Sequence, residues 1–422
     1  MSAGHWAWAR ALAAGAALAA GAALAQDNPP SSDPSAEQVV EQPLGQPIEQ
    51  TAEQSAQPFT PFAAEPSADQ PRDQPESVEA RLLKAWELAQ AGELAPAQIR
   101  LEALVAARPN YRLAWLLYGD VLSARSGGRA LRPLPDDDPK MAGLLNELQR
   151  RLIARDLASD AVPGNLIYLA GEARKIIVVD LAQSRLFLLE HGEAGWQRLH
   201  DWYAGIGKQG TRKRESGDFR TPIGVYQISG SIRGAKLPDL YGAGALTLSY
   251  PNSWDRAQKR DGHGIWIHGV PRETYVRAPQ SSEGCVTLAN EDFRELRGEV
   301  AAGTPVILTD ELQWLSAEAA GSQQHEWLDR LEAWRQARLS DDRAGVQEFY
   351  SAPVGGQVLY HSLDVDQLSL FRYPGEGDTV LAQFRRTTGQ HRGRAHRAMM
   401  EQYWHREGDG PWQIVLERER PK

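Results

Sequence analysis

The spacing of hydrophobic and polar positions changes along this chain, and each change predicts a different kind of element. From Val78 onward, apolar residues recur every three or four positions, which is typical of amphipathic helices. Two more helices are predicted up to Ala124, and a fourth is predicted from Lys140 to Asp156. The spacing therefore predicts a helical region, which we place at residues 76–160.

Short β-rich runs replace the helical spacing after Lys175. The apolar runs 176–179 and 186–189 flank a polar turn and predict a hairpin. The same signals predict five further strands, at 202–206, 224–228, 246–250, 264–267 and 306–308. One helix is predicted among them, from Asn290 to Glu299. This part of the chain is therefore expected to be mostly β.

A third pattern follows residue 310. Trp327, Leu331 and Trp334 have helical spacing, and segments of alternating apolar and polar residues follow them. The order of a helix followed by antiparallel strands predicts an α+β domain at residues 320–420.

The first 75 residues show neither the spacing of amphipathic helices nor the alternation of strands. Arg10 precedes an apolar run from Ala11 to Ala25, which is typical of a secretory signal peptide at residues 1–25. A retained membrane anchor is the alternative, although this run is shorter than the ~20 residues that span a bilayer. Residues 26–75 are rich in Gln, Pro, Ser and Ala and predict a disordered linker. We therefore expect export to the periplasm.

Composition narrows the classes of partner. The 422 residues carry a formal net charge of −9, and acidic and basic residues are interspersed without a basic patch. Proteins that bind nucleic acid through phosphate contacts concentrate Lys and Arg on one surface, so we expect no nucleic-acid partner. His263, His268 and Asp261 do not have a metal-ligand spacing, and we expect neither a metal nor a cofactor.

Candidate chemistry centres on the single cysteine of the chain, Cys285. A thiol becomes nucleophilic as its thiolate, and an imidazole such as that of His268 can accept its proton. Gly284 allows the backbone to approach the sulfur, so that amide groups could hold an oxyanion. The residues alone leave two interpretations open, a cysteine acyl-transfer enzyme or a buried cysteine acting as a small hydrophobe.

The motifs around these residues resemble those of the L,D-transpeptidase (YkuD) family. They are His268-Gly269, the run Ser282-Glu283-Gly284-Cys285, and the run Gly217-Asp218-Phe219-Arg220-Thr221-Pro222-Ile223-Gly224-Val225-Tyr226. The resemblance covers residues 173–310. Two positions depart from the family pattern, because Glu283 replaces its second histidine and Thr287 replaces a frequent arginine.

The resemblance implies a function. Cys285 would attack the carbonyl before the terminal D-Ala of a peptidoglycan tetrapeptide stem, and His268 would transfer protons. Gly284, Gly269 and Ser282 would orient the ring or hold the oxyanion. An amine acceptor would give 3-3 cross-links or attach an outer-membrane or wall-linked protein. Two alternatives are a hydrolase of the same fold, cutting stem peptides or wall-protein links, and a non-catalytic peptidoglycan-binding scaffold.

Both flanks have looser resemblances. Residues 76–160 are similar to tetratricopeptide repeats, and residues 320–420 resemble the cone-shaped nuclear transport factor 2-like fold. The expected architecture is thus multidomain, with a mostly β catalytic domain between a helical repeat-like region and an α+β domain. Either flank could recruit a protein partner, and fold alone does not say which.

Overall fold

The computed structural model describes residues 76–127, 139–153, 161–169, 174–193, 195–340, 342–354, 359–391 and 394–420. The predicted signal peptide and linker, at residues 1–75, lie outside these ranges. The chain divides into two compact units, with the break between Gln149 and Arg150. Within the described ranges, no helix combines the length and apolar character needed to cross a membrane.

Helices make up the first unit, as the sequence predicts. They are α1 (Val78–Gln90), α2 (Leu94–Ala107), α3 (Arg112–Arg125) and α4 (Pro139–Leu152). Helix α1 starts where the Ser77 side chain accepts the N–H of Ala80 at 3.1 Å, which is the usual N-cap bond. Residues 154–160, which include the predicted end of the fourth helix, lie outside the described ranges. The likeness of these helices to tetratricopeptide repeats stays a prediction.

An eight-stranded sheet forms the centre of the second unit. Its strands are β3 (Lys175–Asp180), β4 (Arg185–Gly192), β5 (Gly195–Tyr203), β7 (Gly224–Arg233), β8 (Gly244–Leu248), β9 (Trp266–His268), β11 (Val286–Thr287) and β12 (Pro305–Thr309). Their spatial order is β11-β9-β8-β7-β12-β3-β4-β5. The sheet confirms the mostly β expectation. The strand predicted at 202–206 is instead divided, since β5 ends at Tyr203 and a short β6 (Ile206–Gly207) pairs with β10 (Gln280–Ser282).

Both faces of this sheet are buried. Along β3, Ile177 and Val179 face a cluster that includes Phe293 of the helix Asn290–Glu299, which we number α6. Ile176 and Val178 belong to a different cluster on the opposite face. Because successive side chains of a strand point to opposite faces, a continuous apolar run is what a sheet covered on both sides requires.

The second cluster joins the central sheet to a five-stranded sheet. That sheet contains β14 (Leu363–Arg372), β15 (Thr379–His391), β16 (Arg394–His405) and β17 (Gln413–Glu419). Its edge strand, β2 (Leu166–Leu169), comes from before the central sheet in sequence and pairs with β14. The shared cluster contains Phe371, Leu381 and Tyr403 from the five-stranded sheet. The two sheets therefore share one core.

Helix α7 (Ala317–Leu339) covers the other face of the five-stranded sheet. Its Trp327 and Trp334 are buried in a third cluster with Phe384 and Trp404 from the strands. The remaining elements are short: β1 (Val162–Pro163) pairs with β13 (Trp314–Leu315), α5 spans Ser253–Ala257 and α8 spans Arg343–Gln347. The helix-then-strands order was expected, while the likeness to the nuclear transport factor 2-like fold stays a prediction.

Candidate active site

The predicted motif from Gly217 to Tyr226 folds into a loop that is held by one carboxylate. Asp218 accepts the backbone N–H groups of Arg214 and Arg220, at 2.7 and 3.1 Å, and the buried ammonium of Lys213 at 2.7 Å. Burial raises the pKa of Asp218, but these donors outweigh burial and leave the pKa below its usual value. The loop is therefore fixed around an ionised carboxylate.

Thr221 connects this loop to the cysteine segment. Its buried hydroxyl accepts the N–H of Gly207 at 2.9 Å and donates to the carbonyl of Gly284 at 3.0 Å. Gly284 has a φ of +124°, and a Cβ there would lie 2.8 Å from the carbonyl oxygen of Arg220. Only glycine fits both the backbone conformation and the close approach, so the residue before Cys285 is locked against the motif loop.

The pairing of β9 with β11 brings together the segments that carry the candidate histidine and cysteine. They run parallel, with Thr287 opposite His268. Cys285 directly precedes β11, two residues before Thr287. The thiol is partly accessible and donates to the carbonyl of Gly264 at 3.4 Å.

The imidazole of His268 is buried and oriented by its own backbone neighbour. Its Nδ1 lies 2.6 Å from the carbonyl oxygen of Gly269, and its ring contacts that of Tyr241 with centroids 5.0 Å apart. A carbonyl can only accept, so the proton of the neutral ring lies on Nδ1 and Nε2 is left as the base. Burial lowers the pKa of His268 to about 4, despite the opposing bond to Gly269.

The segment after His268 is braced by Asn290 at the start of α6. The Oδ1 atom accepts the N–H groups of Ala243 and Val270 at 2.7 and 3.2 Å, and Nδ2 donates to the carbonyl of Val270 at 2.7 Å. A Cβ at Gly269 would lie 2.2 Å from the same Oδ1. Glycine at this position allows the close approach of the Asn290 side chain. We call the segment held in this way, His268 to Val270, the histidine loop.

Ser282 organises the backbone on the other side of the sulfur. Its hydroxyl accepts the N–H of Gly284 at 3.2 Å and donates to the carbonyl of Cys285 at 2.6 Å. The resemblance implied that Gly284 could supply an oxyanion donor, but its amide is already engaged by Ser282 here. Ser282 therefore orients the loop, and the Gly284 amide would have to leave it to reach a substrate.

The resting site is electrically neutral at the two reacting groups. Burial raises the pKa of the Cys285 thiol to about 11, although the Trp266 amide and the charges of Lys213 and Arg277 act in the opposite direction. Together with the low pKa of His268, this favours a protonated thiol and a neutral imidazole in the resting site. A neutral thiol and a neutral imidazole could react by general base catalysis, in which the proton moves to Nε2 as the sulfur attacks.

The two departures from the family pattern lie in different surroundings. Glu283 is exposed, and its nearest cation is Lys208 at 4.0 Å. Thr287 is buried, and its Oγ1 would lie only 2.5 Å from a Cβ added to Gly205. A longer residue at 287 would therefore require Gly205 and its neighbours to move.

Sequence reasoning missed one charged residue at the site. The side chain of Arg277 is half-buried, and its positive charge acts on both Cys285 and His268. A single arginine in an irregular loop has no periodicity or spacing that could have identified it. Within the described ranges, no group of three or more His, Cys, Asp or Glu side chains is arranged to hold a metal ion.

Comparison with known proteins identifies the family of the central region. Residues 174–308 match the family model of YkuD, the L,D-transpeptidase catalytic domain. The match confirms the resemblance of the central region, which is an L,D-transpeptidase-family domain.

Individual relatives are more distant. A protein named "Putative L,D-transpeptidase YafK" from Escherichia coli K12 is 25% identical over 134 residues, which are 31% of this chain and 49% of the relative. The chain thus matches only half of that protein's length.

Solved structures extend the likeness in fold. Bd1075 from Bdellovibrio bacteriovorus aligns with a TM-score of 0.53 and 24% identity, covering 62% of this chain and 99% of that protein. The helical cell shape determining protein Pgp2 from Campylobacter jejuni aligns with a TM-score of 0.49 and 18% identity, and the alignment covers 65% of this chain and 99% of the Pgp2 chain. The share covered by Bd1075 exceeds residues 174–308, so the shared fold extends beyond the catalytic domain.

Proposed function

We propose that this chain is a cysteine acyltransferase of the L,D-transpeptidase type that acts on peptidoglycan tetrapeptide stems. The observation that supports it most is the parallel pairing of β9, which carries His268, with β11, which Cys285 directly precedes; the bond of the imidazole to Gly269 leaves Nε2 unprotonated. The family match of residues 174–308 supplies the reaction class.

The first half of the reaction follows from these groups. The Cys285 sulfur forms a bond to the carbonyl carbon before the terminal D-Ala while its proton passes to His268 Nε2. The carbon–nitrogen bond then breaks, and His268 returns the proton to the departing amine. The Cys285 amide, and the Gly284 amide once it is released from Ser282, would hold the oxyanion.

The second half depends on the acceptor. An amine from a neighbouring stem attacks the thioester, its proton passes through His268 to the sulfur, and a 3-3 cross-link forms. An amine of a wall-linked protein would attach that protein in the same way, and water would give a shortened stem.

Mass spectrometry of the full chain with tetrapeptide muropeptides tests this proposal. We expect a Cys285 acyl adduct and cross-linked dimers from the natural protein and neither product from Cys285→Ala. Cys285→Ser, in which an oxygen replaces the sulfur and the side chain keeps its shape, is the matched control and should also form no thioester adduct. Shortened monomers without dimers would instead identify a hydrolase. Unchanged substrate without an adduct would refute acyl transfer and favour the binding scaffold.

We also propose that the protein acts in the periplasm, because the run from Ala11 to Ala25 has the pattern of an export signal. Fusing residues 1–30 to a reporter that is active only after export tests this, and an inactive fusion would refute it. The helical and C-terminal regions are proposed as sites for a protein partner.

A further inference from the structure

The guanidinium of Arg277, in the loop before β10, has no side-chain partner among the residues that the structure describes. Within the described ranges, Arg277 makes neither a hydrogen bond nor an ion pair through its side chain, whereas the buried cations Lys213 and Arg185 are paired with Asp218 and Asp201. A half-buried cation loses part of its hydration, and this loss lowers the pKa of Arg277. Such a group is prepared to bind an anion.

The backbone that carries Arg277 is anchored. The Tyr203 hydroxyl donates to the Arg277 carbonyl at 3.0 Å, and the Ile206 amide donates to the Pro279 carbonyl at 2.7 Å. The Ser281 hydroxyl donates to the Ala278 carbonyl at 2.8 Å. These bonds fix the loop that enters β10, so the guanidinium is presented from a defined backbone rather than from a free loop.

The segment that carries Arg277 lies beside the strand that follows Cys285. A Cβ on Gly205 would lie 3.3 Å from the carbonyl oxygen of Ala278 and 2.5 Å from Oγ1 of Thr287, so both segments flank the same glycine. The positive charge of Arg277 also lowers the pKa values of Cys285 and His268, which agrees with this placement. Glu283, the nearby carboxylate whose charge also acts on Arg277, has an exposed side chain and lies 4.0 Å from Lys208. An anion bound by Arg277 would therefore lie near the segment that carries Cys285.

We propose that Arg277 binds the free α-carboxylate of the substrate's last residue, the one that leaves when the thioester forms. This inference rests on the proposed function and extends it to substrate selection. The planar guanidinium matches a carboxylate with two parallel hydrogen bonds, which a peptide amide in the same place could not accept. The ligand class is a peptide that ends one residue beyond the scissile bond.

Turnover of two substrates tests the inference. Substrates are the free tetrapeptide stem and the same stem amidated at its terminal carboxylate. Hydrogen bonds to charged groups correspond to roughly 10- to 150-fold in affinity, so we expect Arg277→Gln to lower kcat/KM for the free stem by that factor. The amidated stem, already poor for the natural protein, should change less than about threefold, and Arg277→Lys should be intermediate.

Matched controls separate this role from a general one. Arg272→Gln removes an arginine of the same segment whose side chain is 89% exposed, and it should leave both substrates unchanged. An equal loss on both substrates after Arg277→Gln would overturn the proposal, because a residue that only stabilised the thiolate would act on both.

A second measurement does not depend on turnover. D-alanine should slow the alkylation of Cys285 by iodoacetamide in the natural protein, D-alaninamide should not, and Arg277→Gln should abolish the protection. If the natural protein forms no acyl adduct yet shows this protection, the proposed function fails and the carboxylate site stands. Equal protection by the acid and the amide, or none by either, would overturn the inference about Arg277.

Discussion

The brace from Asn290 to the histidine loop offers the sharpest test of how the site is held. Asn290→Ala removes three hydrogen bonds, two accepted from Ala243 and Val270 and one donated to Val270, at 2.7, 3.2 and 2.7 Å. Each such bond contributes about 0.5–1.5 kcal/mol net, and two amides would lose their acceptor. The free energy of unfolding should therefore fall by about 1.5–4.5 kcal/mol.

Catalysis should suffer as well, because Gly269 supplies the carbonyl that orients His268. A displacement of about 1 Å in a reacting group can lower the rate by roughly 10²-fold, and we expect a loss of that order in kcat/KM. Urea unfolding followed by tryptophan fluorescence measures the stability, and muropeptide turnover measures the rate.

Two variants on the same helix calibrate the result. Arg294→Ala changes an exposed side chain and should alter stability by less than about 0.5 kcal/mol. Asn290→Asp keeps both acceptor bonds but replaces the donor to Val270 by a carboxylate oxygen facing the carbonyl oxygen at 2.7 Å, so it should also be less stable than the natural protein. Natural stability and turnover in Asn290→Ala would refute the idea that this side chain holds the histidine loop.

Three further perturbations probe other parts of the structure. Thr221→Val removes two buried hydrogen bonds and should reduce the free energy of unfolding by about 1–3 kcal/mol. Thr221→Ser keeps the hydroxyl and should retain most of the natural stability, so equal losses in the two variants would contradict the role of the hydroxyl. Because burial lowers the pKa of folded His268 to about 4, the unfolded chain takes up a proton before the folded protein does as the pH falls below 6.5. Urea titrations should therefore show the free energy of unfolding falling between pH 6.5 and 4, by up to about 3 kcal/mol more in the natural protein than in His268→Gln. Parallel pH curves for the two proteins would contradict this. Phe371→Ala opens a cavity in the core shared by the two sheets and should reduce the free energy of unfolding by about 3–5 kcal/mol. Val415 is 39% exposed, so Val415→Ala should have little effect. A small loss from Phe371→Ala would mean that the two sheets are not coupled.

Local patterns in the sequence predicted local structure well. The helix predicted from Asn290 to Glu299 has those same limits, and the hairpin predicted at 176–179 and 186–189 is present as β3 and β4 with slightly longer strands. Both signals are contained in a few neighbouring residues, where periodicity states which face is buried. The proximity of His268 and Cys285 came instead from the motif resemblance.

Contacts between distant segments could not be predicted in this way. Strand β2 pairs with β14, with Leu169 opposite Ser369, although the central sheet separates them in sequence. An apolar strand shows that it needs a partner but does not identify it, because many strands offer the same backbone groups. The engagement of the Gly284 amide by Ser282 and the position of Arg277 depend on loop conformation, which the sequence pattern does not encode.

The five-stranded sheet takes part in holding the site, even though it contributes no reacting group. Asn252 donates to the hydroxyl of Tyr373 in the loop after β14 at 2.7 Å and to the carbonyl of Val225 at 3.0 Å. Val225 lies near the start of β7, four residues after Thr221, whose hydroxyl bonds to the carbonyl of Gly284.

Buried hydrogen bonds of this kind have little freedom to rearrange, because each lost partner leaves an unsatisfied polar atom. A continuous series of contacts therefore runs from Tyr373 through the start of β7 to the residue that precedes Cys285. The Arg260–Glu376 ion pair gives a second connection between the two parts of this unit. On these contacts, the C-terminal sheet supports the loop of the candidate active site.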